Sequence, residues 1–152
     1  MEETCIVKIE LLEATEPEFL PTKAYPSDAG FDIRSTVSVK IPPQEIRLIP
    51  AGFRVELPCG YEAQVRSRSG NALKKSIVVA NSPGTIDSGY RGEVGVILCN
   101  VGRKDVTIHR GDRIAQMVIQ RLPEVKLQLV DSVTIETDRG AGGFGSTGVA
   151  GN

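Results

Sequence analysis

The 152-residue sequence has no tryptophan, one histidine and three cysteines. Cys5, Cys59 and Cys99 are far apart and form no CxxC pair, which disfavours a disulfide framework and a zinc site built from cysteine and histidine. A Ser-His-Asp triad would have to use His109, which ends an alternating run and is better explained as a solvent-facing strand residue. The odd, unpaired cysteines favour a reducing compartment, so we expect a cytoplasmic protein.

Long apolar runs and an excess of charge of one sign are also missing. No apolar run approaches the roughly 20 residues that a membrane helix needs, and the early acidic residues are unlike a signal peptide. The net charge of −1 does not indicate a strongly basic nucleic-acid-binding surface. We therefore expect neither a membrane nor a nucleic acid as partner, and the length fits one domain with a core of its own.

An apolar-polar alternation with a period of two dominates the chain. It is clearest at residues 5–11, 37–41 and 125–129. Shorter β-branched runs follow at residues 46–49, 53–57, 61–65, 77–79, 94–98, 106–108 and 114–119. Turn signals separate them, so the pattern predicts an all-β sandwich or barrel of many short strands, with one short helix candidate near residues 70–76.

The C-terminal segment from residue 138 onward is too rich in glycine for a strand or a helix. Its composition alone is typical of a disordered chain end. However, Arg139, Ser146 and Thr147 together with free backbone N–H groups form a set that can hold phosphate. Phe144 is a lone aromatic ring that can cover a base. Both interpretations stay open on composition, and the second describes a segment that becomes ordered over a ligand.

Four further polar clusters fall between predicted strands, at residues 24–34, 65–74, 81–93 and 111–117. The sequence Arg-Ser-Arg-Ser-Gly in the second is either an oxyanion site or a charged turn. The third is typical of a hairpin with one carboxylate and one aromatic ring, although turn chemistry alone also explains its Asp and Gly. The fourth is most simply a turn entering a strand, and no Walker loop occurs. The residues alone thus indicate a phosphate-containing ligand on a β scaffold.

In their order along the chain, the five clusters resemble the five motifs of the trimeric dUTP pyrophosphatase (dUTPase) family. The resemblance runs from about residue 20 to residue 148 and is most specific in the third cluster and in the C-terminal Arg-Gly-Ala-Gly-Gly-Phe-Gly-Ser-Thr-Gly. It implies a jelly-roll-like β barrel, residues 1–137, and a flexible glycine-rich arm, residues 138–152, that closes over the site. It also implies a homotrimer with sites at subunit interfaces. The implied reaction is attack of water on the α-phosphorus of dUTP, giving dUMP and pyrophosphate.

The resemblance assigns the catalytic role to Asp87, which would hold and deprotonate the attacking water. Tyr90 would pack under the deoxyribose and exclude a ribose 2′-hydroxyl. The hairpin backbone would bind uracil. The full set of implied substrate-binding residues is Arg68, Ser69, Gly70, Asn81, Thr85, Ile86, Asp87, Tyr90, Gly95, Gln116, Arg139, Phe144, Gly145, Ser146 and Thr147.

The resemblance also implies which residues bind the phosphates and the metal. Arg68, Ser69 and Gly70 would hold the phosphates from a neighbouring subunit, and Gln116 would lie near the α-phosphate. Asp32 and Gln116 would position Mg²⁺ through water, since this ion commonly keeps several waters.

From the arm, Phe144 would stack on uracil and Arg139 would pair with the γ-phosphate. Gly145, Ser146 and Thr147 would add amide and hydroxyl donors. The arm would therefore bind both ends of the nucleotide.

The sequence departs from the common family pattern at two positions in the second cluster. Ser67 stands where proline is frequent and Asn71 where leucine is frequent, so we expect altered loop stiffness and packing rather than lost activity. Gly95 can contact a substrate only through its backbone. Two alternatives to a dUTPase are a dCTP deaminase, which shares the fold, and a non-catalytic binding protein on the same scaffold.

Overall fold

The computed structural model of the chain describes residues 4–13 and 15–151. Residues 1–3, 14 and 152, which belong to the predicted domain and arm, lie outside the described residues. The strands are β1 (Lys8–Leu11), β2 (Phe31–Arg34), β3 (Val39–Ile41), β4 (Ile46–Pro50), β5 (Phe53–Glu56), β6 (Tyr61–Arg66), β7 (Ile77–Val79), β8 (Gly84–Ile86), β9 (Gly95–Asn100), β10 (Val106–Ile108) and β11 (Arg113–Arg121). The helices are a 3₁₀ turn at Pro17–Phe19 and α1 at Ser69–Lys75. The predicted jelly-roll-like all-β fold with one short helix is confirmed.

The strands pair antiparallel in four small sheets, with the orders β1-β5, β10-β3, β2-β11-β6-β8 and β4-β9-β7. Burial alternates along the strands, as in β9, because successive side chains point to opposite faces. The inward residues form one cluster that includes the fully buried Ile33, Phe53 and Leu98. Each such side chain contributes about 1.5–3 kcal/mol by leaving water. The core therefore holds the fold without disulfides, and all three cysteines are free.

Helix α1 links β6 to β7 and ends at Ser76, whose left-handed φ of 55° lets its N–H bond to the carbonyl of Asn71. Lys74 and Lys75 occupy the last turn, where cations interact favourably with the helix dipole. Asn71 is buried and its Nδ2 donates to the Arg113 carbonyl at 2.9 Å. The helix is thereby fixed against the start of β11.

The strand predicted at residues 125–129 does not form, so that prediction was wrong for the single chain. Residues 122–151 contain neither strand nor helix, and Leu127 and Leu129 are 96% and 98% exposed. Leu122 donates its N–H to the Gly60 carbonyl at 2.8 Å. Alternation supplies an apolar face, but a strand also needs a neighbouring edge to pair with, and no strand among the described residues pairs with this segment.

Within residues 4–13 and 15–151, no helix has the length and apolar character that crossing a bilayer requires.

Candidate active site

A cleft of about 600 Å³ opens between β8, with the turns on either side of it, and the strands β4 and β9. The hairpin predicted in the third cluster does not form as a strand pair, because β8 pairs with β6 whereas β7 pairs with β9. Strand β8 is placed by antiparallel pairing with β6, in which Thr85 lies opposite Gln64. The cleft contains five of the predicted substrate-binding residues. Its lining comprises Leu48, Pro50, Val65, Asn81, Gly84, Thr85, Ile86, Tyr90, Glu93, Val94, Gly95 and Ile97.

Small residues shape the walls of this cleft. A Cβ on Gly95 would lie 2.7 Å from Cδ1 of Leu48, so glycine leaves room for the leucine. A Cβ on Gly84 would lie 3.3 Å from Nδ2 of Asn81, whose side chain packs over the start of β8. Ile86 is only 8% exposed because its side chain joins the core. At Ile86 and Gly95 it is therefore the backbone that faces the cleft.

Asp87 follows β8 directly and is exposed beside the cleft. Its carbonyl accepts the N–H of Tyr90 at 3.1 Å, which closes a tight turn. The Tyr90 hydroxyl donates to the Glu93 carbonyl at 2.8 Å, and the Glu93 carboxylate accepts the Gly52 N–H at 3.0 Å. Among residues 4–13 and 15–151, no basic side chain pairs with the Asp87 carboxylate. That carboxylate is thus available to a water molecule or a hydroxyl group.

A second group of polar side chains lies where β2, β6 and β11 meet, and we call it the arginine corner (Asp32, Arg68, Arg113 and Gln116). Asp32 forms an ion pair with Nε of Arg68 at 3.0 Å and accepts a hydrogen bond from Nη1 of Arg113 at 3.4 Å. Nε2 of Gln116 donates to the Ser67 carbonyl at 3.0 Å. The structure therefore brings together residues of the first, second and fourth clusters. Two guanidinium groups at one carboxylate form a site suited to phosphate.

Arg113 was missed as a site residue, because its cluster was interpreted as a simple turn. The pairing of β11 with β2 shifts between Arg113 and Ala115, so Ile114 is an extra residue in a β-bulge. This shift places Arg113 and Gln116 on the same face, although they are three residues apart. Ile114 and Ala115 are both buried, as a bulge in an otherwise alternating strand allows.

The two departures in the second cluster both make hydrogen bonds beside the arginine corner. Oγ of Ser67 accepts the Val79 N–H at 2.8 Å, while Asn71 binds the Arg113 carbonyl. The altered packing that we expected is thus a pair of specific contacts. Ser69 and Gly70, at the start of α1, are exposed and accessible to a ligand.

The arginine corner and Asp87 occupy opposite ends of one four-stranded sheet. Asp32 on β2 and Arg66 on β6 both pair with Gln116 on β11, so these three residues lie at one level of the sheet. On β8, Ile86 pairs with Ala63 of β6, and Asp87 lies one residue further from that level. Asp87 is therefore four residues along the strands and three strands across from Asp32, a separation on the order of 20 Å. The structure therefore does not bring the two groups together within one chain.

The arm residues lie outside the cleft. Phe144 is fully exposed, and no residue of the arm lines the cleft among the described residues. The arm consists of tight turns, with Nε of Arg139 donating to the Gly142 carbonyl at 2.8 Å. Gly145, Ser146 and Thr147 are exposed as well. In this structure, then, the five predicted arm residues remain separate from the other site residues.

No three His, Cys, Asp or Glu side chains form a metal-binding group within the described residues. Asp32 is engaged by two arginines, and only the amide nitrogen of Gln116 is bonded, which leaves its Oε1 as an acceptor. Gly30 makes room for this oxygen, since a Cβ there would lie 2.5 Å from it. One carboxylate and one amide oxygen fit a metal ion held through water rather than a directly ligated one.

Comparison with known proteins places these features in a family. The model of the dUTPase family matches residues 17–148. The deoxyuridine 5′-triphosphate nucleotidohydrolase of Crocosphaera subtropica is 48% identical over 94% of this chain and 100% of its own length. A dUTPase variant of Staphylococcus bacteriophage 80alpha with dUpNHpp superposes with a TM-score of 0.84 at 28% identity, over 95% of this chain and 99% of that one. A variant from phage phi11 of S. aureus, described for its structural Mg(II) ion, gives 0.76 at 26% identity, over 84% and 98%. The chain therefore belongs to the dUTPase family.

Proposed function

We propose that this protein hydrolyses dUTP to dUMP and pyrophosphate by attack of water on the α-phosphorus. The observation that carries the proposal is the cleft of the third motif, with an unpaired carboxylate, Asp87, beside it. This reaction keeps uracil out of DNA and supplies dUMP for thymidylate synthesis. Three free cysteines favour the cytoplasm as its location.

The segment from Asn81 to Tyr90 binds the nucleoside. Backbone groups between Asn81 and Asp87 match the edge of uracil, while the narrow cleft excludes a methyl group on the base. The ring of Tyr90 packs against the deoxyribose and leaves no room for a 2′-hydroxyl. Asp87 holds the water in line with the α-phosphorus and accepts its proton, so the carboxylate acts as the general base.

The arginine corner binds the phosphates. Arg68 supplies charge-assisted hydrogen bonds, Ser69 and Gly70 add donors at the start of α1, and Gln116 lies near the α-phosphate. Asp32 and Gln116 would hold Mg²⁺ through water, and the bound ion would neutralise phosphate charge. Positioning and charge neutralisation then account for most of the rate enhancement, as in other phosphoryl transfers.

Each complete site combines different copies of the chain in a homotrimer. A triphosphate is much shorter than the separation of about 20 Å between Asp87 and the arginine corner, so one chain cannot offer both to the same dUTP. A neighbouring copy supplies the arginine corner. Within the described residues, no hydrogen bond or ion pair joins residues 138–151 to a strand of their own barrel. Over bound dUTP, Phe144 stacks on uracil, Arg139 pairs with the γ-phosphate, and residues Gly145 to Thr147 add donors.

An assay of products from two substrates tests this function. Purified protein is mixed with dUTP or dCTP, with and without a chelator, and pyrophosphate and ammonia are measured. We expect pyrophosphate from dUTP only, and less of it with the chelator. Ammonia from dCTP would identify a deaminase instead, and no pyrophosphate from dUTP would exclude the proposed activity.

A further inference from the structure

The ring of Tyr90 lies directly over Gly92, two residues further along the chain. A Cβ built on Gly92 would lie 2.4 Å from the Tyr90 hydroxyl oxygen, 2.6 Å from Cζ and 3.0 Å from Cε2. Gly92 has no positive φ, so its backbone conformation suits any residue. The side chain of Tyr90, rather than the backbone, therefore requires glycine at this position.

Little else fixes the ring in place. Tyr90 is 45% exposed, so the core does not hold it. Its hydroxyl donates to the Glu93 carbonyl at 2.8 Å, and this bond forms only while the ring folds back across Gly92. The backbone beneath the ring is well defined, because Arg91 donates Nη1 to the carbonyls of Ser88 and Tyr90. The position of the ring thus depends on the space that Gly92 leaves open.

We infer that Gly92 is a positioning residue for substrate specificity, acting through Tyr90. This inference rests on the proposed function, in which the Tyr90 ring packs against the deoxyribose. With Gly92 the hydroxyl end of the ring lies over the turn, and Tyr90 lines the cleft. With any larger residue at position 92 this end of the ring must move, because a Cβ would lie 2.4–3.0 Å from three of its atoms. Movement of the ring out of this position opens the space in which a ribose 2′-hydroxyl would otherwise clash.

The test is the ratio of kcat/KM for dUTP to kcat/KM for UTP, measured for the wild type and for Gly92→Ala. We expect Gly92→Ala to lower this ratio by about tenfold or more, which is the size of discrimination that one steric contact provides. A general loss of structure would reduce both rates together and leave the ratio unchanged. In a Tyr90→Ala background, Gly92→Ala should change the ratio no further.

Gly89→Ala is the matched control, because Gly89 lies in the same turn and a Cβ there would meet no atom within 4 Å. It should keep the wild-type ratio. In the wild type, nuclear Overhauser effects between the Tyr90 ring protons and the Gly92 α-protons should be present. This measurement does not depend on whether the Gly92→Ala variant folds.

The outcomes separate the two proposals. If the wild type releases no pyrophosphate from dUTP, the proposed function fails. If the wild type is active but Gly92→Ala keeps its ratio, the inference about Gly92 fails alone. A fall in the ratio that persists without the Tyr90 ring, or the absence of the ring contacts, would overturn it as well.

Discussion

Subunit mixing offers a direct test of how the site is assembled. Asp87→Asn removes the base and Arg68→Ala removes a phosphate contact, so each variant alone should be nearly inactive. Loss of a general base costs about 10²–10⁴ in rate. Loss of charge-assisted bonds worth about 3 kcal/mol costs about 100-fold. Both single variants are thus expected at about 1% of wild-type activity or less.

Trimers that contain both variants should recover activity. In the proposed trimer, the separation of about 20 Å within one chain requires a site to take Asp87 from one copy and Arg68 from another. In an equal mixture, half of the chains keep Asp87 and the other half keep Arg68. About one quarter of the sites then combine an intact Asp87 with an intact Arg68, so activity should rise from about 1% to about 25% of wild type.

The assay is pyrophosphate release after the two variants are unfolded together and refolded, with wild type treated in the same way as reference. Refolding Asp87→Asn with a chain that carries both substitutions is the control, since no site then receives an intact base. If native mass spectrometry shows mixed trimers but activity stays near 1%, Asp87 and Arg68 act within one chain and our geometric argument is wrong.

Three further predictions each concern one variant of the protein. Asp87→Asn should abolish turnover but still bind the α,β-imido analogue of dUTP in calorimetry; surviving turnover would remove Asp87 as the base. Truncation after Asp138 should leave a folded trimer by light scattering with severely reduced turnover, and an unchanged rate would exclude a role for the arm. Ser76→Gly should stabilise the protein by about 0.5–1 kcal/mol, because glycine adopts the left-handed conformation without strain. Urea unfolding at fixed protein concentration measures this, and an unchanged midpoint would contradict it.

Much of the fold followed from local patterns. The period of two located most of the strands, since each strand buries one face whatever its partner is, and α1 formed within a residue of its predicted position. Strands β2 and β8 were missed, because they lie inside polar clusters that were placed between strands. The strand at residues 125–129 failed because pairing needs an edge that lies elsewhere, and a period of two carries no information about partners. Pattern alone therefore predicts strands better than it predicts sheets.

The residues of the candidate site were predicted less completely than the strands. Asn81, Thr85 and Tyr90 line one cleft because they lie within ten residues of one another, on β8 and its flanking turns. Arg113 was missed because a bulge, not simple alternation, decides the face on which it lies. The space above Gly92 was also beyond sequence reasoning, since it depends on the rotamer of a neighbouring ring.

The exposed segment after β11 has a consequence for how the protein behaves on dilution. Four of its apolar side chains, Leu127, Leu129, Val133 and Ile135, are 73–98% exposed in the single chain. Such a surface favours association, so covering it should contribute free energy to assembly. Subunit concentration then determines both solubility and catalysis, because a dissociated chain exposes this segment and loses every complete site. Specific activity should consequently fall as the protein is diluted, and more steeply than for an enzyme whose site lies within one chain.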